Sequence, residues 1–298
     1  MKKIFISALL ICSGLLANAQ LVNVESVQRI NLDGKVIVNK PTISPDGTFA
    51  VVSDLGSSAL NRVDLATGKL TLITDNGSGV DLQISEDGQT VVYRQVTTDK
   101  HHLRRTAVRS HNLANGAEQE ILKPSRSLNG VAINGTEVVA IEKGRAKSKN
   151  LGKNKIARPV VSIQEGHLNV TVNGKTRTLD PQGRSSYLWP ALSPDGTKIV
   201  YWVAYEGCFV CDLDGSNPVS LGELRAARWI DNNTIVGQCD HDNGEYILES
   251  ELIASDLNGK RQVLTDASVI ALNPSVSADG KKIAFSTDKG ELFVINLK

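Results

Sequence analysis

The sequence is poor in aromatic side chains and carries almost no net charge. Aromatic residues make up 4% of the 298 positions, and 33 Lys and Arg residues nearly balance 32 Asp and Glu residues. A chain without an overall charge bias is not steered to nucleic acid by long-range electrostatics. Few aromatic rings also leave few platforms for stacking on bases or sugars. Nucleic-acid binding is therefore excluded as the main function, and carbohydrate binding is disfavoured.

Long apolar runs are also missing, with one exception at the N-terminus. Lys2 and Lys3 precede an apolar run from Ile4 to Leu16, and the small residues around Ala19 suit a signal peptidase. At about 13 residues, the run is too short to span a bilayer. We predict that residues 1–19 are a cleaved signal peptide, that no segment spans the membrane, and that residues 20–298 act in the periplasm or outside the cell.

Signatures of catalysis are absent too. The chain contains no G-x-S-x-G, no H-E-x-x-H and no complete phosphate-binding loop. Three cysteines remain after cleavage, an odd number that cannot be fully paired within one chain. Cys208 and Cys211 lie three apart in a strand-like run, so they face opposite sides and suit neither a disulfide nor a shared metal. The sequence favours a protein that is not an enzyme, although residues that converge only in space remain possible.

The sequence does contain an internal repeat. The stretch Pro41–Val52, with its Ser-Pro-Asp-Gly turn, returns at Pro190–Tyr201 and Pro274–Phe285, and Leu82–Tyr93 is a fourth copy. Two degenerate copies lie at 131–140 and 229–236. An Asp-Leu-x-x-Gly half-motif follows most copies, as at Asp64. Each unit therefore reads as two consecutive hairpins, which make a four-stranded antiparallel meander.

Six such units predict an all-β fold, a six-bladed β-propeller of four-stranded blades. The repeat averages about 47 residues, which is the size of one blade. The longest interval, about 60 residues, separates Val138 from Ile199, and we interpret the basic stretch 143–158 within it as an insertion in the third blade. The last unit lacks a fourth strand. The strand-like segment Val24–Leu32 can supply it and close the ring, which removes an open sheet edge.

The Ser-Pro-Asp-Gly and Asp-Leu-x-x-Gly motifs at this period resemble the TolB-type (WD40-like) β-propeller repeat family. The resemblance covers residues 20–298 and implies a stand-alone propeller without the N-terminal domain of TolB. It further implies an envelope protein that presents loops and a central channel to a protein or peptide partner. We expect a monomer that binds such a partner without catalysis. The alternative is a carbohydrate-active hydrolase or lyase whose acid and base converge in the channel.

The start of each innermost strand should lie at the channel mouth, where a partner would bind. Aromatic and guanidinium groups there suit a peptide or a carboxylate. The candidate partner-binding residues are Lys40, Asp81, Asn129, Tyr187, Trp189, Arg225, Arg228 and Asn273.

One run is a candidate metal site. Asp240, Asp242 and Glu245 alternate before and after a glycine, and carboxylate oxygens are ligands that calcium prefers. The run is far shorter than a complete calcium-binding loop, so the sequence favours a solvated turn and no cofactor, with calcium as the alternative. A second basic cluster, Lys100–Arg105, should lie between the second and third strands of the second blade.

Overall fold

The computed structural model describes residues 20–134, 137–143, 145–151, 159–183 and 186–298, apart from the side chains of Asn129 and Asn134. The predicted signal peptide lies outside the described residues. All regular secondary structure in the described part of the chain is β-strand. Within that part, no helix has the length and apolar character needed to cross a bilayer.

Seven antiparallel sheets are arranged as the blades of a propeller, and we number them along the chain. The chain begins with β1 (Val24–Ile30). Blade 1 contains β2 (Val38–Ile43), β3 (Phe49–Asp54), β4 (Leu60–Asp64) and β5 (Leu70–Thr74). Blade 2 contains β6 (Ser78–Ile84), β7 (Thr90–Thr98), β8 (Arg104–Asn112) and β9 (Glu118–Ser125). Blade 3 contains β10 (Leu128–Asn134), β11 (Glu137–Glu142) and β12 (Arg145–Asn150).

The second half of the chain forms the remaining blades. Blade 4 contains β13 (Val160–Gln164), β14 (His167–Val172) and β15 (Lys175–Thr178). Blade 5 contains β16 (Tyr187–Leu192), β17 (Lys198–Val203), β18 (Gly207–Asp212) and β19 (Val219–Gly222). Blade 6 contains β20 (Arg225–Trp229), β21 (Thr234–Asp242), β22 (Ile247–Asp256) and β23 (Arg261–Val263). Blade 7 contains β24 (Ala271–Val276), β25 (Lys282–Thr287) and β26 (Leu292–Leu297), and β1 completes it.

The prediction of six blades, each with four strands, is wrong. The long interval between Val138 and Ile199 holds the later strands of blade 3 and all three strands of a separate sheet, blade 4, where the sequence suggested one blade with an insertion. Residues 145–150 of the supposed insertion form β12, while residues 152–158 lie outside the described residues. The count failed because blade 4 has no Ser-x-Asp-Gly hairpin. Its Glu165-Gly166 and Asn173-Gly174 turns were the sequence signal that could have revealed it.

Blade 4 corresponds to the second, third and fourth strands of a complete blade. In blade 1 the first residue of β2, Val38, donates its N–H to Gly290, which lies in the turn between the second and third strands of the preceding blade (3.0 Å). In blade 5, Tyr187 makes the same bond to Gly166, in the turn between β13 and β14 (2.9 Å). By its direction β13 therefore corresponds to a second strand, and it contacts the first strands β10 and β16 of the neighbouring blades; the described residues of blade 4 include no first strand.

The N-terminal strand closes the ring, as the sequence predicted. β1 pairs antiparallel with β26, and it is the outermost strand of blade 7. Beyond the strand, the side-chain oxygen of Gln262 in blade 6 accepts hydrogen bonds from the backbone of Leu21 and Val22 (2.7 and 3.0 Å). Closure by the two chain ends leaves blade 7 with four strands and joins it to its neighbours.

The Ser-x-Asp-Gly motif repeats because it builds one hydrogen-bonded hairpin. In each of the four good copies, the serine hydroxyl donates to the aspartate two residues later, at 2.5–2.6 Å. The same hydroxyl accepts a backbone N–H of the following strand, as from Lys198 (2.9 Å). Only the glycine, not the aspartate, has a positive φ, such as 73° at Gly196. The polar groups of the motif are used in hydrogen bonds within the turn. The motif therefore specifies the fold and has no role in catalysis.

The hydrophobic core lies between neighbouring blades. Trp202 of blade 5 and Trp229 of blade 6 are both 7% exposed and belong to one apolar cluster. The Trp229 indole N–H also donates to the backbone carbonyl of Ala191 in blade 5 (3.0 Å). Both tryptophans are therefore structural.

Candidate functional site

The two faces of the propeller differ in how the chain turns. On one face, which we call the upper face, the first strand of each complete blade begins, and a turn joins the second strand to the third. The Ser-x-Asp-Gly hairpins lie on the opposite, lower face. The predicted partner-binding residues, at the start of the first strands, therefore belong to the upper face.

A backbone irregularity recurs at the same place in five first strands. The residue four positions before the hairpin serine, or before its equivalent, has a positive φ. These residues are Lys40 (44°), Asp81 (55°), Trp189 (50°), Ala226 (51°) and Asn273 (54°). Pairing with the second strand shifts register at each of them. A bulge of this kind bends the strand and redirects its side chain, at about 1–2 kcal/mol for a left-handed non-glycine residue. Four of the predicted residues thus share one unusual position at the channel mouth.

An aromatic pair lies at the mouth on blade 5. The Trp189 side chain is 42% exposed, and its ring lies 6.2 Å from that of buried Trp202. The guanidinium of Arg225 in blade 6 lies 5.5 Å from the centre of the Trp202 ring, within cation–π range. The exposed Trp189 indole packs against Trp202, which Arg225 contacts in turn. These contacts hold the indole in place as an apolar surface for a partner.

Two of the three candidate metal ligands, Asp240 and Asp242, instead lie beside this arginine. Arg225 donates to Asp240 at 2.7 Å, and Asp242 lies 3.6 Å away. The Asp240 side chain is only 1% exposed, and its second oxygen, Oδ1, has no hydrogen-bond partner. Glu245 lies in the exposed turn between β21 and β22. The guanidinium already supplies the positive charge beside the two aspartates, and the described residues contain no group of three or more potential metal ligands.

Asp81 and Arg228 interact electrostatically across the channel without forming an ion pair. Asp81 forms an ion pair with Arg94 of the same blade. Burial lowers the pKa of the Arg228 guanidinium, and the Asp81 carboxylate acts in the opposite direction. Blade 6 packs between blades 5 and 7 in the ring, so its interaction with blade 2 crosses the channel. Arg94 was missed by sequence reasoning, since nothing distinguishes it from other charged strand residues.

The remaining predicted residues do not form one cluster. Lys40 is exposed, and the backbone N–H of Asn273 donates to the side-chain oxygen of Gln238 (2.8 Å). Tyr187 is fully buried, and its hydroxyl accepts the N–H of Gln182 (2.8 Å), so we leave it out of the contact surface. The side chain of Asn129 lies outside the described residues.

Two long hairpins on the upper face were also missed as features of the site. β7 and β8 have nine residues each, and β21 and β22 have nine and ten, whereas the second and third strands of other blades have five or six. The turn of the first hairpin contains the predicted Lys100–Arg105 cluster. The second carries exposed Asp242, Glu245 and Glu249. Opposite charges therefore project on opposite sides of the channel. The run of polar residues in each hairpin was the sequence signal that could have revealed the length of its strands.

The cysteines take no part in a reactive site. Cys208 and Cys211 are buried in β18, Cys239 is partly buried, and all three are free thiols. Burial raises the pKa of both Cys208 and Cys211 to about 12, so neither is a thiolate near neutral pH.

Comparison with known proteins supports the fold. A structure assigned to TolB of Agrobacterium tumefaciens superposes with a TM-score of 0.53 at 14% identity, over 87% of this chain and 89% of that one. The fold is that of a TolB-like β-propeller. An oligogalacturonate lyase in complex with manganese gives a TM-score of 0.48 at 16% identity, over 87% of this chain and 76% of that one. No family model matches this chain, and no curated protein matches it. Sequence identities this low support a shared fold only. The function is therefore argued from the geometry of the site.

Proposed function

We propose that this protein is an exported, non-catalytic β-propeller whose upper face binds a protein or peptide of the cell envelope. The proposal rests on where large apolar side chains are exposed. Of the fourteen described ones, nine lie on the upper face and none in the lower Ser-x-Asp-Gly hairpins. The nine are Ile37, Leu55, Val80, Leu103, Leu188, Trp189, Tyr205, Tyr246 and Leu248. Apolar groups gathered on one face of a soluble protein are typical of an interaction site.

The charges on this face add orientation to the apolar contact. The blade 2 hairpin exposes Lys100 and Arg104, and the blade 6 hairpin exposes three carboxylates on the other side of the channel. Complementary charge speeds encounter and fixes how a partner sits. We therefore expect a partner that turns an acidic side to blade 2 and a basic side to blade 6, with capture that weakens as salt rises.

The alternative, a carbohydrate-active hydrolase or lyase, has no specific observation in its favour. Asp81 is the only carboxylate among the predicted partner-binding residues, and it is held by Arg94 in an ion pair. A glycoside hydrolase typically needs a pair of carboxyl groups, and the predicted positions supply one. The proposed function requires no metal ion or other cofactor.

The test is in-cell crosslinking of the C-terminally tagged protein, followed by purification and mass spectrometry of the envelope fraction. We expect one dominant partner, and we expect the double variant Trp189→Ala with Tyr246→Ala to capture about tenfold less of it, since such anchors dominate interfaces. The control is Leu72→Ala, which removes an equally exposed side chain on the outer strand β5. Equal capture by both variants, at unchanged melting temperature, would place the binding surface elsewhere.

A further inference from the structure

Arg228 lies where the propeller repeat places small or neutral side chains. Two residues before the hairpin serine, or its equivalent, the first strands of blades 1, 2, 5 and 7 carry Thr42, Gln83, Ala191 and Ser275. Blade 6 has Arg228 at this position. Its neighbours Ala227 and Trp229 pack in the core with blade 5, so Arg228 points the other way. Ser275, at the same position in blade 7, points toward the following blade: its hydroxyl accepts the N–H of Ile43 in the first strand of blade 1 (3.0 Å).

The guanidinium of Arg228 has unused hydrogen-bonding capacity. Its Nη1 donates to the backbone carbonyls of Ala227 (2.8 Å) and Ala226 (3.4 Å). Those are its only hydrogen bonds with described residues, and no described carboxylate lies within ion-pair distance. A guanidinium has five N–H donors in a planar fork, so Nε and Nη2 are left over.

The surroundings do not neutralise this charge. Asp81, the carboxylate that interacts with it across the channel, is already paired with Arg94. Lys40 at the same rim is exposed and adds a further positive charge. A partly buried cation without a counter-ion is costly, because burial removes water that would otherwise solvate it. The cost disappears when an anion enters beside it.

We propose that Arg228 binds a carboxylate of the partner peptide, which enters the channel from the upper face. A carboxylate presents two oxygens at the spacing of the guanidinium fork, so the two free donors fit it as a bidentate pair. The exposed Trp189 indole, also at the mouth, would cover the apolar part of the same peptide. This inference rests on the proposed function, because it specifies the chemistry of the partner that the upper face binds.

The test follows the arginine Nε–Hε signals of the purified, 15N-labelled mature protein by NMR. The signal that is missing from both Arg228→Lys and Arg228→Gln spectra belongs to Arg228, so assignment survives if one variant fails to fold. We expect sodium acetate to shift this signal, and sodium chloride at equal ionic strength to leave it in place. We also expect Arg228→Lys, which keeps the charge and loses the fork, to bind acetate about tenfold more weakly, as seen at the Trp189 indole signal.

The matched control is Arg29→Gln. Arg29 is 58% exposed on the closing strand β1, where it pairs with Glu291. Its removal should delete a different signal and leave the acetate response of Arg228 unchanged. A shift confined to another arginine, or no shift with acetate, would overturn the proposal.

Peptide probes distinguish the source of the carboxylate. Trialanine with a free C-terminus, its C-terminal amide, and amidated Ala-Glu-Ala are added separately. A response to free trialanine alone assigns a C-terminal carboxylate, and a response to amidated Ala-Glu-Ala assigns an acidic side chain. No response of Arg228 to either carboxylate-bearing peptide would refute a peptide ligand. Partner capture in cells is a separate measurement, so its failure is distinguishable from failure at Arg228.

Discussion

Two glycines in the same sequence motif should respond very differently to alanine. Gly68 ends the turn between β4 and β5, and Gly116 ends the turn between β8 and β9. Their φ angles are 73° and 71°, and each donates its N–H to the residue four positions back at 2.8 Å. A β-carbon at Gly116 would meet nothing within 4 Å, whereas at Gly68 it would lie 1.8 Å from the backbone oxygen of Asn31.

The expected costs follow from these contacts. Alanine in a left-handed conformation costs about 1–2 kcal/mol, offset by about 0.4–1 kcal/mol from the less flexible unfolded chain. Gly116→Ala should therefore lose about 1 kcal/mol. Gly68→Ala adds steric overlap, about 1–3 kcal/mol. It also endangers the bond from the Asp33 N–H to the Gly68 carbonyl (3.1 Å), worth about 1 kcal/mol. The total for Gly68→Ala is about 3–5 kcal/mol.

Thermal unfolding of the two variants measures the difference. At about 2–4 °C for each kcal/mol in a chain of this size, Gly116→Ala should lower the melting temperature by about 3 °C and Gly68→Ala by about 10 °C or more. Asn31 follows the closing strand β1, so the larger loss would also show that the N-terminal segment is seated against blade 1. Equal losses would refute the reasoning, because the two sites differ only in their tertiary contacts.

Three further predictions concern charge and burial. Arg225→Ala should lower the free energy of unfolding, measured with urea, by about 3–5 kcal/mol, because it leaves the buried Asp240 carboxylate unpaired. Adding Asp240→Asn should restore most of this stability. If it restores none, the Arg225–Asp240 pair does not have the proposed role. Hydrogen bonds from Ser193 and from the backbone of Thr197 lower the pKa of Asp195 in the folded protein. The ionised Asp195 therefore contributes fully to the free energy of unfolding above the pKa that it has in the unfolded chain, and this contribution is lost as the pH falls through its lower pKa in the folded protein. The wild type should therefore lose more stability below about pH 4 than Asp195→Asn, and parallel pH profiles would count against it. Ellman's reagent at about pH 8 should modify Cys239 first and the two buried thiols of β18 only in denaturant, because burial keeps them protonated and out of reach; fast reaction of three thiols in native protein would disagree.

The sequence by itself determined the blade and its closure. Ser-Pro-Asp-Gly specifies a hairpin through bonds between neighbouring residues, as from Ser193 to Asp195 (2.6 Å), so the pattern is readable wherever it occurs. The alternating apolar residues that follow specify the second strand. The missing fourth strand of the last unit pointed to β1, since an open edge needs a partner. The hairpin and its strand are local properties, whereas the closing strand follows from the need to pair an open edge; these parts of the prediction are confirmed.

The number of blades and the makeup of the proposed binding surface were decided by tertiary structure. Blade 4 is held in place by contacts with β10 and β16 on either side. It has no Ser-x-Asp-Gly hairpin motif, so the blade is not recognisable from its sequence. Gly68 and Gly116 share a motif, yet only the packing of the chain places Asn31 against one of them. The electrostatic interaction of Arg228 with Asp81, which lies on a blade across the channel, likewise depends on closing the ring. Side chains distant in sequence meet only after that closure, and binding depends on where they meet.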